Sequence, residues 1–209
     1  MAKRQGRPKT FSKQHLLDTA IQAYWESDPQ SMSINEICRR ASVAKPGLYR
    51  EFGNEDQFIS TVIKHHYHTA LFPLFKKVSQ QTPFSQGITE LISFITSVER
   101  EGEHHNGCVF VKMRNTRRVL GAEARETLAS LEQHLIKTFQ HWITAAAEKG
   151  EARADLPPYL LATYLDIQVS GALTQLGQGQ SRIMVKQCLM MALSVISLDP
   201  LGGDPTMAE

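Results

Sequence analysis

At 209 residues, 42% of them apolar and 21% charged, the chain is long enough to bury a real hydrophobic core and is neither disordered nor collagen-like in composition. No run approaches the roughly 18 apolar residues that span a bilayer, and no apolar segment follows the basic first residues, so a cytoplasmic location with no membrane partner is expected. The formal charge of +2 does not by itself point to nucleic acid, and the three separated cysteines, Cys38, Cys108 and Cys188, form neither a disulfide framework nor a CxxC motif.

The charge is unevenly placed. Residues 1–67 carry 10 Lys and Arg against 7 Asp and Glu, and residues 68–209 carry 13 against 14. Lys3, Arg4, Arg7, Lys9 and Lys13 precede the first acid, Asp18, and Gly6 and Pro8 discourage a helix, which reads as a basic arm over 1–12. A first helix follows, with Leu17, Ala20, Ile21, Tyr24 and Trp25 on one stripe and Asp28-Pro29 at its end.

Ser33-Ile34-Asn35-Glu36 has the form of a capping box, the Ser33 hydroxyl taking the Glu36 amide and the Glu36 carboxylate reaching back to Ser33. Met32 and Ile37 are placed as a hydrophobic staple across it, and the stripe Ile34, Ile37, Cys38 and Ala41 gives about two helical turns before the chain turns at Ser42. Next, Leu48 and Phe52 pack inward with Val43, Pro46 fits the first turn, and Lys45, Tyr49 and Arg50 are left facing out. Gly53 closes that helix, and Asn54 with Gln57 caps another through Ile59, Val62 and Ile63. Beyond Pro73 longer helical patterns are broken by loops at 80–83, 102–107, 121 and 150–158, with no period-two strands and no repeat. The expected fold is all-α, with a domain at 1–70 containing a helix-turn-helix over 33–52 and a larger helical domain at 71–209.

Two short helices joined by a tight turn, the second presenting Lys, Tyr and Arg, are what lays a recognition helix in a major groove. The stretch from Ser33 to Phe52, with its Ala-Ser-Val-Ala turn and Leu48-Tyr49-Arg50-Glu51-Phe52, resembles the TetR-family DNA-binding domain, as does Gly6-Arg7-Pro8 ahead of it. Ser42 stands for the usual turn Gly, Ala44 for the usual capping Ser, Gly47 for a frequent DNA-contacting side chain, and Glu55 for a frequent phosphate-binding Lys, whose contact a carboxylate would not make. The resemblance assigns Ser33 and Tyr49 to phosphate contacts and puts Lys45, Pro46, Gly47 and Arg50 near the bases. Arg and Lys can donate to guanine and Pro can meet a thymine methyl.

The resemblance further implies a homodimer through the last two helices, and Tyr164, Gln168, Gly171, Met184, Cys188 and Met191 lie on suitable faces. It implies an effector domain, for which Phe94, Phe110, Met113 and Trp142 could line an apolar pocket. Asn106-Gly107-Cys108 is similar to the Gly-Cys element of one subgroup, which makes Cys108 a candidate thiol sensor if a helix N-terminus lowers its pKa. The expected function is a repressor of operator DNA released by a small molecule, electrophile or oxidant; an activator with the same DNA-binding domain is the alternative. An enzyme would have to rest on the histidines, and no HExxH, phosphate loop or nucleophile elbow accompanies them, so no catalysis, metal or cofactor is expected.

Overall fold

The computed structural model describes residues 12–27, 29–97 and 107–201, so the basic arm, apart from Ser12, and His104 and His105 lie outside the described residues. What is described is helical throughout, with a single bridge between Ala152 and Ser197 in place of any strand. Ser12 caps α1 (Lys13–Glu26), its hydroxyl accepting from His15 N at 3.3 Å. Leu16, Leu17, Ala20, Ala23 and Tyr24 are buried, while Ile21 and Trp25 on the edge of the same stripe are half-buried.

The chain then makes α2 (Ile34–Arg40) and α3 (Lys45–Phe52). Ser33 caps α2 with its hydroxyl on Glu36 N at 3.2 Å, but the reciprocal half of the expected box is not made. The Glu36 carboxylate instead takes Arg39 at 2.7 Å and Arg40 at 2.8 Å, because two guanidiniums in the last turn offer charge-assisted bonds that one amide cannot match. These bonds hold the Glu36 carboxyl at about 2, well below its ordinary range. Arg40 also reaches Glu26 at 2.5 Å, tying α2 to the end of α1. Between α2 and α3 the backbone passes through Ser42 at φ +55°.

After Gly53, α4 (Glu55–His66), a π-helical turn (Tyr67–Leu71) and α5 (Phe72–Val78) run on without a break. The boundary expected at residue 70 therefore falls inside a continuous helical rod. Asn54 and Gln57 form both halves of a capping box, at 2.9 and 3.1 Å. Phe58, Val62 and Ile63 are buried on α4, each contributing about 1.5–3 kcal/mol by its removal from water. The rod packs on α1 and α3 at one side and along α8 at the other.

The remaining helices are α6 (Phe84–Thr96), α7 (Val109–Asn115), α8 (Ala122–Glu148), α9 (Pro158–Gly177) and α10 (Arg182–Leu193), with a 3-10 turn at Arg117–Val119. α8 lies between α4 and α9, and α10 closes on α6 and α9. Aromatic pairs fill the layer between them, Phe75 with Phe139 at 5.0 Å and Phe84 with Trp142 at 4.7 Å. Among the described residues no helix is long and apolar enough to cross a membrane.

Candidate functional site

Two features of the fold carry chemistry: the outer face of α3, and a cavity where the first helices meet the rest. On α3, Leu48 and Phe52 are turned into the core, which fixes what the opposite side presents. Pro46 and Arg50 are exposed, and Lys45, Gly47 and Tyr49 are half-buried. The Lys45 ammonium stands over the Tyr49 ring at 5.5 Å, which keeps a long cationic side chain lying along the helix. Ser33 sits at the N-terminus of α2, its hydroxyl engaged with the Glu36 amide. The six residues assigned by the sequence therefore fall on two adjoining helix beginnings and one helix face.

The α4–α8 seam carries this unit. Asp56, in the first turn of α4, accepts from the amides of Glu123 and Ala124 at 2.8 and 3.0 Å, so it caps α8 from another helix. At Gly121 a Cβ would come within 2.1 Å of the Asp56 carboxyl carbon, so a larger residue there has to push that side chain aside. One turn on, Ser60 and Thr127 share a buried hydrogen bond of 2.9 Å, and beyond that the Tyr67 hydroxyl meets His134 Nδ1 at 2.7 Å. Burial pushes the Tyr67 phenol up to about 12, so it stays protonated there at neutral pH. A second polar knot ties α7 to α8 and α9: Arg114 binds Glu132 at 2.7 Å, Asp166 at 2.7 and 2.9 Å, and Ser170 at 2.9 Å.

The cavity, of about 620 Å³, is walled by α1, the end of α4, the π-helical turn, α5, α6, α9 and the start of α7. That size suits a drug-sized molecule. Its lining is chiefly apolar, with Trp25, Leu91 and Phe94 among it, and it also takes in Asp18, His66, Lys77, Glu90 and Cys108. Of the four side chains expected at a pocket, Phe94 lines this one. Phe110, Met113 and Trp142 do not; they are packed in the interior, as apolar residues at helical spacing can be when a neighbouring helix covers that face.

Cys108 is the cap residue of α7 and lies on the cavity wall, its Sγ 3.8 Å from His66 Nε2. The thiolate is not favoured there. Burial pushes the thiol up, and the opposing pull of the Val111 and Phe110 amides and of the Arg114 and Lys112 cations is smaller. The α7 start is held against α1 by Trp25 Nε1, which donates to Gly107 O at 2.5 Å, and by Lys112 Nζ, which donates to Trp25 O at 2.6 Å.

On the far helices, Tyr164 is half-buried with its hydroxyl on Ala192 O at 3.0 Å, and Gln168 is half-buried. Gly171, Met184, Cys188 and Met191 are exposed, beside the exposed apolar side chains of Ile167, Ile183 and Val195. The histidines are spread among separate partners, His65 on Asp18, His66 beside Cys108 and His134 on Tyr67. No three metal-binding side chains converge among the described residues. Sequence patterns did not single out Asp18, Asp56 or Glu90, each of which acts across a helix boundary.

Residues 16–62 match the family described as "Bacterial regulatory proteins, tetR family". The chain is 22% identical to the HTH-type transcriptional repressor ComR of Escherichia coli K12 over 170 residues, which are 78% of this chain and 76% of that protein. Its fold is shared with the reduced form of E. coli NemR, at a TM-score of 0.75 and 19% identity over 90% of this chain and 97% of that one. A cysteine mutant of the TetR-family regulator CifR, complexed with 26-bp operator DNA, gives a TM-score of 0.74 and 19% identity over 90% of this chain and 98% of that one. The family match falls on the unit that holds the outward face of α3, and the likeness of fold runs through the rest of the chain, so the protein is a transcriptional regulator with the tetR-family N-terminal domain.

Proposed function

We propose that the protein is a homodimeric repressor that grips operator DNA with α3 and lets go when a small molecule fills the cavity. The observation that carries this reading is the outward face of α3, where Lys45 and Arg50 stand on a helix whose other side is locked into the core. Phosphate contacts from Ser33 and Tyr49 would set the register, and Lys45, Pro46, Gly47 and Arg50 would read bases. ComR is named a repressor and CifR was solved on operator DNA, which supports the same role here. Two domains, at 1–70 and 71–209, are the working units of this proposal, the second holding the partner subunit and most of the effector cavity, whose remaining wall comes from the first.

A duplex selected by the protein from a random library tests it. Lys45→Ala should cost about 1–3 kcal/mol on that duplex and relax preference at one position, as loss of a base contact does. Equal affinity for selected and scrambled duplexes in a gel shift, unaltered by the substitution, refutes the assignment. Reporter output with and without the protein separates repressor from activator.

A second reading, the capture of an electrophile or oxidant by Cys108, is favoured by one observation: the thiol lies on the cavity wall with His66 Nε2 at 3.8 Å. Because burial holds the thiol protonated, His66 would have to accept its proton as a bond to sulfur forms. The resemblance of Gly107-Cys108 to the Gly-Cys element belongs with this reading.

A further inference from the structure

We propose that Arg118, in the second half of the chain, meets a backbone phosphate of the duplex that α3 enters. This rests on reading α3 as the recognition helix and adds a contact from outside the helix-turn-helix unit. α4 and the turn after it run parallel to α8 and in step with it: Asp56 with Glu123, Ser60 with Thr127 and Tyr67 with His134 are each 67 residues apart. The first turn of α8 is therefore level with the first turn of α4, at the spacing of packed helices, about 8–10 Å. Only Gly53 and Asn54 separate α4 from α3, so this level is the end of the rod nearest the recognition helix. A major groove is about 12 Å wide, so a helix lying in it has a phosphate strand within that distance on either side. The 3-10 turn Arg117–Val119, which leads into α8, lies at this end of the molecule.

Within that turn Arg118 is exposed, and it holds no partner among the described residues. The same is true of one other described arginine, Arg50 on the outward face of α3; each of the rest holds a carboxylate or a backbone carbonyl. The neighbouring cations are taken, Arg117 by Glu132 and Arg125 by Leu120 O. Glu55, Glu123 and Glu126 are exposed at the starts of the same two helices and would repel phosphate, and Arg118 is the group placed to offset them. A guanidinium offers its donors in a fork that matches phosphate oxygens. Arg118 also lies three residues beyond α7, whose cap residue Cys108 walls the cavity, so the contact hangs from a helix that an occupant of the cavity touches.

The test uses the full chain and the duplex it selects from a random library, in gel shifts from about 50 to 200 mM salt. Arg118→Gln should weaken binding about fivefold to tenfold, alike for selected and scrambled duplexes, and shrink the slope of log affinity against log salt by about 0.9. Its thermal unfolding midpoint should match that of the unaltered protein, because the side chain is exposed and unpaired. Lys137→Gln, which removes the same charge from an exposed site further along α8, should leave the slope as it was. Duplexes carrying one neutral methylphosphonate at a time then locate the contact: the unaltered protein loses affinity at a position where Arg118→Gln loses nothing more. If Arg118→Gln keeps the affinity and slope of the unaltered protein, or is weakened by every methylphosphonate that weakens it, the contact is absent while α3 stands as the recognition helix. If no duplex is preferred over a scrambled one, the recognition-helix reading itself falls.

Discussion

Cys108 shows how far a side chain's chemistry depends on what covers it. A position at a helix start favours an anion, yet removal from water disfavours one, and at this thiol the second effect is the larger. The folded-state pKa lies above that of an ordinary cysteine, so the thiolate fraction at neutral pH is smaller than that of a free thiol and grows only at higher pH. Alkylation of Cys108 by iodoacetamide, followed by mass spectrometry, should be slow at neutral pH and keep accelerating with pH after a model thiol has levelled off. A fast, pH-independent reaction at neutral pH would mean that the thiolate is stabilised after all. Ser42 is a second residue-scale lesson. The chain has Ser at φ +55°, a backbone conformation that glycine adopts freely, and the departure from the family's Gly was plain in the sequence while its backbone angle was not.

Among the elements, those specified by residues three or four apart were the legible ones. The Asn54–Gln57 box, the Ser33 cap and the inward pair Leu48 and Phe52 all follow from local spacing, and each is found in place. The competition that took Glu36 away from Ser33 was written just as locally, in Arg39 and Arg40, but deciding it needs the strength of ion pairs rather than a motif. Contacts that join distant segments left no such trace: nothing near Asp56 says that it caps α8, nothing near Glu90 says that it pairs with Lys77 beside a cavity, and Phe110, Met113 and Trp142 differ from Phe94 only in which neighbour covers them. The cross-helix cap has a measurable worth. Asp56→Ala should lower stability by about 1 kcal/mol, as loss of an N-cap does. Gly121→Ala should lower it as well, by driving the carboxylate off the same amides. In urea unfolding the double variant should lose less than the two single losses together, since the second change has no cap left to break. Strict additivity would show that Asp56 and Gly121 do not act on each other.

At the scale of the molecule, α9, α10 and the turn after it expose Ile167, Ile183, Met184, Met191 and Val195, an apolar surface suited to a second copy of the chain. Met191→Lys would place an unpaired charge in that contact and should shift the protein to monomer in analytical ultracentrifugation, with half-site binding weakened in step. An unchanged sedimentation coefficient would move the interface elsewhere. The cavity draws its walls from α1, which packs within the helix-turn-helix unit, and from α5, α6 and α9, which do not. A molecule seated there has contacts whose quality depends on how the two sets of helices stand, and so does the spacing of two recognition helices in a dimer. Under the proposed function, thermodynamic linkage would make the traffic two-way: whatever factor an occupant takes from the affinity for DNA, DNA would take from the affinity for the occupant. The regulator would therefore hold its small molecule most tightly when off the operator, and the stretch of DNA it guards would itself raise the concentration of the signal needed to dislodge it.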